Sequence, residues 1–167
     1  MKRLLLAMMT LAGLGVVVAG YGLWQHYAPV GSTFCNINET FSCDIVNKSA
    51  WSELFGIPVA AIGILGFLVI GALAASARQA AVAARPQDER QTVVVLAVLA
   101  VAGLIFQVCL TYIELFVIGA VCPVCIVSQV LILGIAVLAV IAWRLHVRGN
   151  VAAQHEAPLP GGGGVER

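Results

Sequence analysis

Charge is scarce in this chain: nine basic and eight acidic side chains stand among 167 residues. The balance of +1 supplies no basic surface that would point to nucleic acid as a partner. No glycine-rich phosphate cradle, nucleotide motif or internal repeat occurs. Histidine is almost missing, with three residues, and only His26 falls near a cysteine. What remains is apolar. Hydrophobic residues make up 61% of the chain and the mean hydropathy is +1.01. A globule of this size leaves much of its chain near water and could not hide that much apolar surface. The solvent that fits is a bilayer, which a helix of about 20 apolar residues crosses.

Segments 4–24, 55–75, 93–113 and 124–143 have that length and composition. They predict an all-α integral membrane protein, a four-helix bundle occupying 1–148. Lys2 and Arg3 precede the first segment, Arg78, Arg85 and Arg90 lie between the second and third, and Arg144 and Arg148 follow the fourth. The loop at 28–54 carries only Lys48, and 114–121 carries no base. The positive-inside rule therefore predicts a multi-pass protein of the cytoplasmic (inner) membrane, with both termini inside and both short-charged loops outside. Met1-Lys2-Arg3 and the small residues at Val18-Ala19-Gly20 also suit a cleavable signal peptide. The apolar run to Trp24, with Tyr21, Trp24 and Tyr27 as an interfacial belt, favours a retained helix. Gly13, Gly15, Gly20, Gly63, Gly66 and Gly71 read as helix-packing positions. Gly56-Ile57-Pro58 reads as a joint. Ser49 is placed to cap a short amphipathic helix with Trp51, Leu54 and Phe55 on its apolar side, a lid over the bundle. Residues 149–167, polar and then rich in proline and glycine, predict a disordered cytoplasmic tail.

Four of the five cysteines flank these segments. Cys122 and Cys125 are three apart at a helix start marked by Pro123, one turn apart on a common face. The positive end of a helix favours a thiolate, the reactive form of cysteine. Cys35 and Cys43 bracket seven residues of polar loop able to fold back on itself. A structural disulfide would satisfy that pair alone. Two pairs on the oxidising side of a membrane can instead exchange bonds and relay electrons. A Cys₄ zinc site is disfavoured because only one pair is CxxC. Cys109, unpartnered within the third segment, is expected to be a buried core thiol. A lipid-dissolved quinone has no motif of its own. Phe106, Tyr112 and Phe116, with Ser128 and Gln129 one turn below the CxxC, are candidate contacts, although core packing also explains the aromatics. Glu114 is expected to mark the water boundary.

Cys35-x7-Cys43-Asp44-Ile45-Val46-Asn47-x-Ser49, Leu54-Phe55-Gly56-Ile57-Pro58-Val59-Ala60 and Cys122-Pro-Val-Cys125-Ile126 together resemble the vitamin K epoxide reductase family, bacterial members most of all. The DsbB family also has four helices and two thiol pairs, but its CxxC lies in the first outward loop, the reverse of the order here. The resemblance spans roughly 21–143. It implies a four-helix bundle around a quinone of the ubiquinone or menaquinone type, with the first loop covering one end. It further implies that Cys35 exchanges with a thioredoxin-like, DsbA-type envelope protein, that Cys43 passes electrons to Cys122, and that Cys125 reduces the quinone. Ser49 matches a family serine near the active site, and Asp44 belongs to the same motif as a supporting residue. Vertebrate members have an asparagine and a tyrosine where this chain has Ser52 and Gln129, so quinone reduction is implied here rather than epoxide reduction.

The expected function is a quinone-dependent thiol–disulfide oxidoreductase supporting disulfide formation. A vitamin K epoxide or quinone reductase, and a non-catalytic scaffold stapled by disulfides, are the alternatives. The charge pattern makes a direct prediction. Membrane-impermeant alkylating reagents, applied after reduction, should reach Cys35 and Cys125 from the same compartment; labelling from opposite compartments would break the electron route.

Overall fold

The computed structural model describes residues 1–38 and 40–156, with side chains to residue 149. Its frame is four long helices: α1 (Lys2–Tyr27), α3 (Val59–Val82), α4 (Pro86–Ile113) and α5 (Pro123–Glu156). Each is long and apolar enough to cross a membrane. The protein is thus an all-α multi-pass bundle, as its composition required. Between α1 and α3 the chain makes a five-residue helix, α2 (Cys43–Asn47), a 3-10 turn at Ala50–Ser52 and a small hairpin of β1 (Glu53–Leu54) and β2 (Ile57–Pro58).

The core of the bundle uses small residues. Ala12, Ala19, Ala74, Ala77, Ala100, Ala136 and Ala139 are buried, with Leu5, Met8, Phe67, Ile70, Leu96 and Ile135 filling between them. Lipid offers no hydrophobic drive for helix association, so close backbone approach and dispersion must hold the helices together. α1 lies along α3 in this way. Gly71 faces Ala12 and Gly63 faces Ala19, where an added Cβ would sit 3.5 and 3.6 Å away. At Gly15 an added Cβ would overlap the Phe67 ring. Gly13, Gly20 and Gly66 face open space, so only part of the expected glycine pattern is packing.

Several boundaries differ from expectation, each for a local reason. The second long helix begins at Val59, not 55, because Phe55 and Gly56 form the hairpin turn with φ of 54° and 78°. Two consecutive left-handed residues match the twist of a two-residue hairpin, and glycine occupies one of them without cost. The expected lid helix is reduced to the 3-10 turn Ala50–Ser52, which Ser49 precedes without a side-chain capping bond; the serine cap is made instead on α2, where Ser42 Oγ accepts from the Ile45 N–H at 3.3 Å. Trp51, Leu54 and Phe55 accordingly lie on the 3-10 turn and hairpin and are exposed. α4 starts seven residues earlier than the apolar run, at Pro86, which suits the first helical position, with Asp88 and Glu89 in the first turn against the dipole. α5 continues past 143 and 149 to Glu156, since no proline interrupts the sequence before Pro158. The first part of the expected tail is therefore helical; residues 157–167 lie outside the described residues.

α4 passes directly into a π-helical turn, Glu114–Ile118, closed by Gly119 at φ 73°. Gly15→Ala should lower the thermal unfolding midpoint in detergent, by the equivalent of about 1–3 kcal/mol for an overpacked contact. Phe67→Leu should recover part of the loss. An unchanged midpoint for Gly15→Ala would contradict the close α1–α3 approach.

Candidate redox site

The loop after α1 is organised around one carboxylate. Asp44 Oδ2 accepts from the Gly31 N–H at 2.6 Å and from Asn36 Nδ2 at 2.7 Å, and Oδ1 accepts from Thr33 Oγ1 at 3.3 Å. Asn36 Oδ1 in turn accepts from Ser42 Oγ at 2.9 Å and the Asp44 N–H at 3.1 Å. Burial pushes the Asp44 carboxyl upward, but the donors from Gly31, Asn36 and Thr33, with the Lys48 charge, outweigh it and hold the value below the ordinary one. This network folds the polar stretch between Cys35 and Cys43 back on itself, and the two cysteines are joined in a disulfide.

A second set of bonds fastens that loop to the other cysteine pair. The Val121 N–H donates to Thr40 O at 2.7 Å and the Ser42 N–H donates to Val121 O at 3.2 Å, a parallel bridge between Phe41 and Val121. The residues following the bridge on each side are Ser42 and Cys122, with Cys43 one further. Cys122 Sγ consequently lies 3.5 Å from Cys43 Sγ. Cys35, Cys43 and Cys122 form a small buried cluster with Val46 and Ala120, and Cys125 packs against it. Cys122 and Cys125 are free thiols. Cys122 precedes α5, and a hydrogen bond with Cys125 holds its thiol below the usual range. Burial and the Glu114 charge oppose that shift, and the backbone N–H groups of Cys125 and Val124 support it.

Two buried polar side chains address the sulfurs: Gln25, which the sequence did not single out, and Glu114, which it placed at the water boundary. Gln25 of α1 is wholly buried and donates from Nε2 to Cys35 Sγ at 2.6 Å, while its Oε1 accepts from Asn47 Nδ2 at 3.1 Å. Glu114 accepts the Cys122 N–H on Oε2 at 3.1 Å. A signal was available: a glutamine and a carboxylate at the ends of membrane-length apolar runs are costly unless they face the bundle interior. Glu114 is buried, so it does not mark a water boundary.

Below the cluster a cavity of about 100 Å³ opens between α1, α3, α4 and α5. Apolar side chains, among them Phe67, Leu110 and Val124, make most of its wall, with Cys125, Ser128, Gln107 and Glu114 at one side. Ser128 thus lines this cavity. Phe106 instead lines a neighbouring cavity between α3 and α4. Tyr112 and Phe116 pack against each other, tilted, at 4.7 Å between ring centroids, on the outside of the bundle, with 60% and 73% of their surfaces exposed. Gln129 accepts from Thr111 Oγ1 and does not line the cavity. Gln107, two turns before Glu114 on α4, takes the inward place and donates to Cys125 O at 3.2 Å. Ser49 lines the cavity from the loop, its hydroxyl donating to Val46 O at 2.8 Å. Cys109 is exposed on α4 rather than buried, because a bundle in lipid presents apolar residues outward as well as inward. Among the described residues no group of His, Cys, Asp and Glu is arranged to hold a metal ion.

A sequence model of the vitamin K epoxide reductase family matches residues 6–140. The chain belongs to that family. The matched region takes in both cysteine pairs, the loop that carries Asp44 and Ser49, and all four long helices apart from the first residues of α1 and the end of α5. Membership makes the protein a membrane oxidoreductase. Within this family member the sulfurs most sheltered from solvent are those that meet: Cys43 and Cys122 have no exposed surface and Cys35 retains 4%.

Asp44 supports the loop when ionised. Its folded value lies below the ordinary 3.8, so its contribution is complete above that pH and is lost as pH falls through the lowered value. A phosphine reductant should open Cys35–Cys43 at a steady rate down to about pH 4 and faster below it. Asp44→Asn should raise the rate about tenfold at neutral pH, since a hydrogen bond to a charged acceptor contributes about 1.5–3 kcal/mol. Equal rates for the variant and the parent would remove Asp44 from the support of the loop.

Proposed function

We propose that the protein oxidises a thioredoxin-like, DsbA-type envelope protein and passes the electrons to a quinone. The observation that carries this reading is the 3.5 Å approach of Cys122 Sγ to Cys43 Sγ, with Cys125 on the wall of an apolar cavity. The cysteine end of the bundle would face the extracytoplasmic side, in keeping with the distribution of Lys and Arg. The cavity's apolar walls, with a few polar groups beside Cys125, suit a flat quinone ring of the ubiquinone or menaquinone type. The quinone, as substrate, takes two electrons and two protons and leaves as quinol.

The protein's own residues account for the remainder. A partner dithiol reduces Cys35–Cys43 by attack on Cys35, forming a mixed disulfide that the partner's second thiol displaces. The Cys43 thiolate then attacks Cys122 of a Cys122–Cys125 disulfide, and Cys125 leaves with the electron pair. Cys35 attacks Cys43 in the new Cys43–Cys122 bond, restoring Cys35–Cys43 and leaving Cys122 and Cys125 reduced. This last state is the one the structure has. Gln25 Nε2 points at Cys35 sulfur, where a donor stabilises the attacking thiolate. Because Cys35 is buried, the loop must open before a partner can reach it.

Partner-driven quinone reduction should fall at least about a hundredfold in Cys122→Ala and in Cys125→Ala. It should persist in Cys109→Ala. The double variant Cys35→Ala/Cys125→Ala, left only with Cys43 and Cys122 in the cluster, should form a Cys43–Cys122 crosslink under mild oxidation. Wild-type turnover in both single variants would rule out the relay, and would favour the reading in which the cysteines serve only as staples.

A further inference from the structure

Glu114 is an unusual resident of this bundle. It retains 4% of its surface within an apolar surround, and among the described residues no Lys, Arg or His pairs with it. A buried carboxylate without a cation is expensive unless donors replace water. Here the Cys122 N–H, at the positive start of α5, supplies one. The π turn starting at Glu114 provides the geometry; such turns often mark functional positions within helices. The carboxylate also shares the cavity wall with Cys125. Among the described residues the other titratable groups on that wall are Cys122, just before α5, and His26 from α1; α3, α4 before Glu114, and the loop add none.

We propose that Glu114 is the proton carrier of the inner dithiol, an assignment that rests on the thiol–quinone reading above. As the Cys122–Cys125 bond forms, the two sulfurs give up two electrons to the quinone. The Cys125 thiol proton passes to the Glu114 carboxylate and from there to one quinol oxygen, and the Cys122 thiol proton supplies the other. Glu114 begins and ends the step as a carboxylate, so the cycle closes without an added acid or base. Glutamine at this position keeps an oxygen to accept the Cys122 N–H and removes only the proton-carrying capacity.

The test uses the full chain in detergent, with Cys122 and Cys125 reduced and a short-chain ubiquinone as probe. Two quantities are followed between about pH 5 and pH 9: the single-turnover rate of quinol formation, and, without quinone, the rate of Cys125 alkylation. Glu114→Gln should slow the single turnover about a hundredfold or more. It should also flatten the pH profile and displace the midpoint of Cys125 alkylation, and Glu114→Asp should recover part of the rate. His26→Asn should keep the wild-type profile; its loss there would transfer the role to His26 and overturn the assignment. Wild-type rate and midpoint in Glu114→Gln would also overturn it, as would a slowed variant whose alkylation midpoint does not move. If the wild type reduces no quinone but Glu114→Gln still displaces the midpoint, the quinone reading fails while proton exchange between Glu114 and Cys125 stands.

Discussion

Two backbone hydrogen bonds hold the arrangement together. The bridge between Phe41 and Val121 joins a loop that follows the first long helix to the turn that precedes the last, across nearly half the sequence. Each strand of the bridge delivers a cysteine within two residues, so the register of a single ladder step decides whether Cys43 meets Cys122. Side-chain flexibility could not make up for a slip, because moving one residue along an extended strand turns the next side chain to the opposite face. The Asp44–Asn36 network and the Ser42 cap can be seen as devices that preserve this register from the loop side. Gly119, in the left-handed conformation that ends the π turn, preserves it from the other.

The bundle beneath supplies a medium in which a few polar atoms carry great weight. Among so many alanines and glycines, Gln25 and Gln107 from the long helices and Glu114 from the π turn reach the sulfur cluster, and each is bonded to a cysteine or its backbone. In a surround of low dielectric an unpaired amide or carboxylate would be costly, and a paired one is held firmly. Positional precision at the sulfurs is thus obtained from the same small-residue packing that brings α1 against α3.

Much of this was visible in the amino-acid sequence, and the parts that were not share a cause. Length and hydropathy suffice to locate four spans, because the bilayer imposes one requirement on all of them. The pairing of Cys35 with Cys43, and the nearness of Cys122, followed from spacing together with the family resemblance. Which face of each span looks inward did not follow. In a soluble helix apolar residues mark the core, but in lipid both faces are apolar. Tyr112, Phe116 and Cys109 were accordingly assigned inward and lie outward, whereas Glu114 was assigned to the water boundary and lies within. Polarity, the rarer property here, is the better guide to the interior. Local turn chemistry caused the remaining differences: the positive φ at Phe55 and Gly56 converts an expected helix start into a hairpin, and the helix expected after Ser49 stops at one 3-10 turn that the serine side chain does not cap.

The covering of Cys35 has a kinetic corollary. A sulfur with so little surface reacts with a second protein only during the fraction of time its loop is lifted, so the apparent encounter rate is the intrinsic rate multiplied by that fraction. Tightening the loop would therefore make the molecule sturdier and slower at once, and loosening it would quicken exchange while admitting small thiols such as glutathione. In the proposed relay, the strength of the Gln25 and Asp44 contacts would set a compromise between throughput and insulation, adjustable by residues that never touch the electrons themselves.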